Sequence, residues 1–224
     1  MIRLEKINRS FQVGDETVHA LRDLDLELKS GEYVSIMGPS GSGKSTLLNI
    51  LGLLDRPDSG RYHLDEIDTT TLSELERADA RCNKIGFVFQ AFHLVPRLTA
   101  ADNVELPLVL AGVAPPERKQ RVHEALEPLG LLDRAGHRPD QLSGGQRQRT
   151  AIARATIMQP TILLADEPTG NLDKASGEDV IHTLEKLNNQ GITLLIVTHD
   201  PEIGGRAPRR IRMVDGAITE DTRT

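Results

Sequence analysis

Apolar positions change their spacing along this chain, and the changes predict its elements. Ile2 and Leu4 alternate with polar neighbours, as do Leu24, Leu26 and Leu28. That period of two predicts antiparallel strands with one wet face over residues 1–37. Residues 32–37 are apolar enough for a short buried strand, and Leu47, Leu48, Ile50 and Leu51 follow at helical spacing. Beyond a Pro-Asp-Ser-Gly turn at 57–60, residues 62–67 read as an edge strand, 74–81 as a short polar helix and 84–90 as an apolar strand. Residues 91–142 differ: prolines 96, 107, 115, 116, 128 and 139 punctuate them, and helical patterns replace strands. Val122, Ala125, Leu126 and Leu129 share one face of a helix starting near Pro116. Pro128 lacks a backbone donor, so that helix should stop or kink near Glu127. The charge run 117–121 reads as a solvated face. Residues 161–166 and 191–197 are continuous apolar runs, as strands covered on both faces require. Val180, Ile181, Leu184 and Leu187 place a helix between them, and Asp215-Gly216 predicts a type I′ hairpin, with a frayed tail after Glu220.

At 224 residues the chain suits one large domain with a smaller helical insertion. Its net charge of −6 offers no basic face for nucleic acid. The single Cys82 excludes an internal disulfide and suits a reducing compartment. No apolar run reaches the ~18 residues of a membrane span, and no export signal is visible. The expected location is therefore cytoplasmic.

The most specific chemistry lies between the 32–37 strand and the helix after it. Gly38-Pro-Ser-Gly-Ser-Gly-Lys-Ser45 fits G-x-x-x-x-G-K-[ST] at every defined position, in the strand–loop–helix context the motif needs. Gly38, Gly41 and Gly43 let successive N–H groups converge on one anion, and Pro39, Ser40, Ser42 and Thr46 complete the cradle. A helix beginning near Lys44 adds its positive end. Lys44 is expected to bridge the β- and γ-phosphates of a nucleoside triphosphate, with the Ser45 hydroxyl on Mg²⁺.

Other candidates gather at strand ends. Asp166 closes the 161–166 strand and is expected to hold Mg²⁺; the adjacent Glu167 is placed to act on the attacking water. Gln90 can ligate Mg²⁺ or orient a water, or simply be a solvated strand end. His199 follows the 191–197 strand on the same rim, where a phosphate-sensing role is expected. Leu142-Ser-Gly-Gly-Gln146 opens a helix with Ser143 as N-cap and Gly144 and Gly145 permitting close approach: a second helix start suited to an anion, or an ordinary capped helix. Phe11 and Val18 flank the polar turn at 14–16; with aromatic content at 3 %, Phe11 is one of few rings able to stack on a base, and core packing remains its alternative.

The order of these motifs, with Asn171-Leu-Asp173 after Glu167, resembles the nucleotide-binding subunit of ABC transporters across essentially the whole chain. The runs 52–60, 87–96 and 166–173 resemble its LolD/MacB group of lipoprotein-release and macrolide-export ATPases. The resemblance implies an α/β P-loop NTPase core of mostly parallel sheet and flanking helices, with an antiparallel β subdomain and an inserted helical subdomain. Residues 1–90 and 158–224 would form the core with its β subdomain, and 91–157 the helical part. It further implies that Phe11 stacks on adenine and that Gln90 senses Mg²⁺ and the membrane subunit. Ser143 and Gly145 would contact the γ-phosphate of ATP held by another subunit, and Leu142, Gly144, Gln146 and Asp173 join the nucleotide-contacting set. One chain offers two anion-binding helix starts but one lysine-bearing loop, so the second needs a partner's nucleotide. The implied partners are a twin cassette in an ATP-dependent homodimer, integral membrane permease subunits that hold this chain at the cytoplasmic face of the inner membrane, and a periplasmic adaptor.

Two positions depart from the family's usual pattern: Arg147 stands where glutamine is common and Thr150 where valine is. The chain reads as a separate subunit or an excised domain, since no membrane part is visible. The expected function is ATP hydrolysis driving an exporter or a lipid-embedded substrate extractor. Its rival is a regulatory ATPase that signals through a membrane protein, like the group's cell-division member. A soluble ABC protein of DNA repair or translation is disfavoured by the charge and by the lack of a second cassette.

Overall fold

The computed structural model describes residues 1–223, which form two sheets with flanking helices. Strands β1 (Ile2–Val13), β2 (Glu16–Leu28), β4 (Ser59–Leu64) and β5 (Ile67–Asp68) build an antiparallel sheet in the order β2-β1-β4-β5. Its register sets Ile2 against Leu28, Leu4 against Leu26 and Ile7 against Leu24, so the alternating apolar positions fall on one buried face. The strand expected at the edge near 62–67 lies inside the sheet instead. Asp65 turns the chain at φ 55°, and the two-residue β5 folds back to take the edge.

The second sheet runs β10 (Ala217–Arg223), β9 (Arg209–Val214), β3 (Tyr33–Met37), β8 (Thr193–Val197), β7 (Ile162–Asp166), β6 (Ile85–Phe89). All pairs are parallel except β10 with β9. Its central strands are buried on both faces. Ile162, Leu164, Leu195 and Val197 face the cluster shared with the antiparallel sheet, whereas Leu163, Ala165, Leu194 and Ile196 face the other side. Each such leucine, isoleucine or valine contributes roughly 1.5–3 kcal/mol by leaving water, which is why the runs are apolar without alternation.

Helix α1 (Lys44–Leu51) packs on β2 and β7, and α2 (Glu74–Lys84) on β6. Helices α3 (Ala100–Leu110), α4 (Pro115–Leu126) and the end of α5 (Gly144–Thr156) share a separate all-helical core around Val104, Leu108, Val122 and Leu126. Helix α4 ends at Leu126 and a single 3-10 turn carries Pro128, as the missing donor requires. The 117–121 run is mostly solvated, although Arg118 turns inward to Glu105 at 2.6 Å. Helices α6 (Lys174–Asn189) and α7 (Pro201–Arg206) flank β8, α6 filling the second face with Val180, Ile181 and Leu184.

The hairpin at Asp215-Gly216 has both residues at positive φ, 48° and 81°. The tail beyond it is paired rather than frayed. Arg209, 4 % exposed, donates to Asp221 at 2.8 and 2.7 Å and to Glu32 at 3.0 Å, and this buried cation anchors β10 through Arg223. Thr224 lies outside the described residues.

Candidate functional site

Strand register builds the site. Phe89 pairs with Asp166, Asp166 with Val197, and Val197 with Ile36, so four parallel strands end in one row. The residues just beyond that row are Gln90, Glu167, Thr198 and the Met37–Gly38 exit into the loop. In parallel sheets this carboxyl rim is where ligands sit.

The 38–45 loop leaves β3 and ends in α1. Gly43 stands before the first helical residue at φ 94°, and a Cβ there would lie 2.3 Å from the Ala20 carbonyl. Only glycine meets both conditions. No side chain caps α1, so its first N–H groups remain available to an anion. Lys44 Nζ donates to the carbonyls of Gly38 and Pro39, each at 2.8 Å, which lays the ammonium across the loop mouth. Ser40, Gly41 and Ser45 are exposed, and Ser42 is buried. Beside the loop an open cleft of about 820 Å³ is lined by Gly38, Pro39, His199, Arg210 and Arg212.

Asp166 is half-buried, and burial holds its carboxyl above the ordinary range; the neighbouring Glu167 charge adds to this and Lys44 opposes it. Glu167 adopts φ 45°, and its N–H donates to Val197 at 2.9 Å. Its carboxylate accepts from the His199 backbone N–H at 2.9 Å and from Nδ1 at 2.7 Å, with Thr198 Oγ1 at 3.3 Å. A carboxylate facing Nδ1 fixes the proton there and leaves Nε2 for another partner. That hydrogen bond, together with the Glu167 charge, raises the His199 pKa. Gln90 is exposed, and its amide lies 3.4 Å from Asn171 Oδ1, while Asn171 Nδ2 donates to the Gln90 carbonyl at 3.0 Å.

The residues fit a divalent cation of the Mg²⁺ kind. Among the described residues no three acidic, histidine or cysteine side chains converge as an all-protein cage. Mg²⁺ instead takes one or two protein ligands plus phosphate and water, and a desolvated Asp166 beside a second negative charge is a position a cation relieves.

The 142–146 run lies elsewhere. Ser143 caps α5 in a reciprocal box: its Oγ accepts from Gln146 N–H at 3.3 Å, and its own N–H donates to Gln146 Oε1 at 2.9 Å. Leu142 is buried, Ser143 exposed, and Gly144 and Gly145 approach Leu172 and Ser176 so closely that a Cβ would sit 3.0 and 3.2 Å from them. Helix α5 packs on β6, α3, α4 and α6, whereas α1 packs on β2 and β7, so the two helix starts belong to different parts of the chain. Asp173 is exposed but spends one oxygen capping α6, accepting from Ser176 N–H at 3.0 Å. Phe11 and Val18 pair directly across β1 and β2 and stand 39 % and 47 % exposed, which removes core packing as the reading for Phe11. Arg9 lies over one face of the Phe11 ring at 4.7 Å.

Sequence reasoning passed over Gln148, Arg154 and Thr198. Gln148 is fully buried and donates to the Phe89 and Pro168 carbonyls at 3.3 and 2.7 Å; a polar residue one turn before Ile152 on the buried face of α5 was its available signal.

A glycine-rich, lysine-bearing loop between strand and helix at the rim of a doubly covered parallel sheet, with acids on a strand of the same sheet, has the architecture of a P-loop NTPase. Residues 21–170 match the ABC transporter family. The chain is 49 % identical over 223 residues to the uncharacterized ABC transporter ATP-binding protein YvrO of Bacillus subtilis, covering all of this chain and 97 % of that one. It is also 49 % identical to the macrolide export ATP-binding/permease protein MacB 1/2 of Paracoccus denitrificans, but spans only 34 % of that protein's length. A dimeric structure of the ATP-binding cassette MJ0796 in a post-hydrolysis state, bound to ADP and Pi, superposes with a TM-score of 0.91 at 45 % identity, covering all of this chain and 98 % of that one. The chain belongs to the ABC transporter family and is an ABC ATPase domain. Among the described residues no helix is long and apolar enough to cross a membrane.

Proposed function

We propose that this chain binds and hydrolyses ATP as one half of a head-to-tail cassette pair, and that the pair drives an exporter of the MacB or lipoprotein-release type through separate membrane-spanning segments. The observation that carries the reading is the placement of two helix starts in one chain. The Lys44 loop opens α1 and the Ser143 turn opens α5, and they pack on different elements. A second copy would bring its Ser143 turn to the first copy's triphosphate. The MacB-like relatives and the dimeric MJ0796 cassette support both parts of the proposal. In this assignment residues 91–157 act as a helical unit carried on the nucleotide-binding core.

In this reading Phe11 stacks on adenine by its free face, with Val18 beside it. Residues 38–46 wrap the phosphates, and Lys44 leaves its loop carbonyls for the β- and γ-phosphates. Glu167 takes the proton of the attacking water, and His199, held by Glu167 through Nδ1, presents Nε2 to the γ-phosphate. From the other chain, Ser143, Gly145 and their neighbours 142–146 donate to the same phosphate, with Asp173 at the junction. Asp166, Ser45 and Gln90 would hold Mg²⁺, which neutralises phosphate charge when bound. Each component acts by position and charge, as phosphoryl transfer demands.

Hydrolysis by Glu167→Gln tests the assignment. Loss of a positioned base typically costs 10²–10⁴-fold, so kcat should fall about that far with ATP affinity retained; unchanged turnover would remove Glu167 from the role. Movement of substrate in vesicles holding the chain with its membrane partner tests export, and ATP-dependent signalling without movement would favour a regulatory ATPase.

A further inference from the structure

After Gln90 the chain must leave the rim and turn towards α3. It does so through Phe92 and His93 at φ 60° and 48°, successive side-chain-bearing residues in the left-handed region. Such backbone persists only where its surroundings over-determine it. The surroundings come from α5. Arg154 forks onto the turn, Nη2 donating to the Phe92 carbonyl at 3.0 Å and Nη1 to the His93 carbonyl at 2.6 Å. Two helical turns earlier on the same face, the Arg147 guanidinium lies 5.0 Å from the centre of the Phe92 ring. Gln148 ties the end of β6 at the Phe89 carbonyl.

Neither arginine is an ordinary solvated cation. Arg154 is half-buried and has no carboxylate partner among the described residues. The Arg147 Nε is buried without a hydrogen-bond partner among them, so the ring face is what its charge meets. The helix that holds the turn is also the helix that begins at Ser143. A shift of α5 therefore pulls on the backbone two residues from Gln90.

We propose that Arg147 and Arg154 are positioning residues for Gln90: by clamping the Phe92–His93 turn to α5, they tie the placement of the Gln90 amide to the position of the Ser143 turn. The proposal rests on the assignment of Gln90 to the Mg²⁺ and γ-phosphate side of the site. It gives the departure at Arg147 a role, since a guanidinium stacks on a ring where glutamine carries no charge.

The test uses the full chain with Arg147→Ala, Phe92→Leu and their double variant, and two readouts. Hydrogen exchange of residues 90–95 should rise about 3- to 10-fold in each single variant, and no further in the double, since both remove the same contact. The Mg²⁺ concentration for half-maximal ATP hydrolysis should rise and kcat fall by a similar factor, with KM for ATP and Tm little changed. Arg147→Lys and Phe92→Tyr should restore part of both. Arg154→Gln should move both readouts further; if it fails to fold, the Arg147–Phe92 pair still decides. As a comparison, Arg118→Gln breaks the Glu105 ion pair in the same helical unit and should lower Tm without touching the Mg²⁺ dependence. Unchanged exchange at 90–95, or additive losses that follow Tm alone, would overturn the proposal. A wild-type chain showing no Mg²⁺-dependent hydrolysis would instead sink the role assigned to Gln90, while the exchange result would still judge the clamp.

Discussion

Glu167 and His199 form the tightest pair on the rim, and their contact is sensitive to pH. Pairing raises the His199 pKa above its ordinary 6.5, so the protonated ring is favoured in the folded chain. The stabilisation is fully present below the unfolded-state value and fades as pH rises through the elevated folded one. Comparing wild type with His199→Gln in urea, the gap between midpoints should be wider near about pH 6 than near about pH 8.5. An equal gap at both would mean the pair does not titrate as described. The exposure of the His199 side chain keeps the effect small. A second residue-scale prediction concerns Gly170, where a Cβ would meet the Gln90 amide nitrogen at 2.6 Å. Gly170→Ala should displace that flexible amide, lowering kcat several-fold while the unfolding free energy holds within the ~0.5 kcal/mol usual for surface changes; steady-state kinetics beside urea denaturation checks both. At this scale the strand–loop–helix around 38–45 was legible, because its turns at Gly41 and Gly43 take positive φ and demand glycine at fixed spacing. Phe11 was not. Register shifts between Leu4 and Ile7, Ile7 and Arg9, and Arg9 and Ser10 break the period-two rule that would have assigned its face.

Among the elements, β10 depends on one buried cation. Arg209 is held by Asp221 and Glu32 and also donates to the Glu27 carbonyl at 2.7 Å. Asp221 has its pKa lowered chiefly by the Arg209 hydrogen bond, so its contribution is present above the unfolded value of 3.8 and is lost as pH falls below it. Ending the chain after Glu220 would remove Asp221 but leave Glu32 on Arg209, and should cost about 1.5–3 kcal/mol in urea denaturation, the usual worth of hydrogen bonds to a charged group. A loss below about 0.5 kcal/mol would show that the tail is dispensable. Hydropathy could not reveal this, because Glu220, Asp221 and Thr222 are polar and their order comes from an arginine twelve positions earlier. The inner place of β4 was hidden for a related reason: β5 is only two residues long and carries no pattern of its own. The buried parallel strands and α4 with its proline stop were legible, since each is fixed by local period and by one missing donor.

For the whole molecule, the proposal is that neither site is complete in a single chain. The lysine-bearing loop opens a helix packed on β2 and β7, and the Ser143 turn opens one packed on β6, α3, α4 and α6. A twin chain would supply what each lacks, and ATP would then act as the adhesive between them. Ser143→Arg would place a bulky cation at the exposed cap and should abolish pairing while leaving ATP bound to monomers.

Sedimentation velocity of the Glu167→Gln chain with and without ATP probes this most directly. The account predicts monomers without nucleotide, a stable dimer with ATP, and no dimer when Ser143→Arg is added. A Glu167→Gln chain that binds ATP yet stays monomeric at saturating nucleotide, or a dimer indifferent to Ser143→Arg, would contradict it.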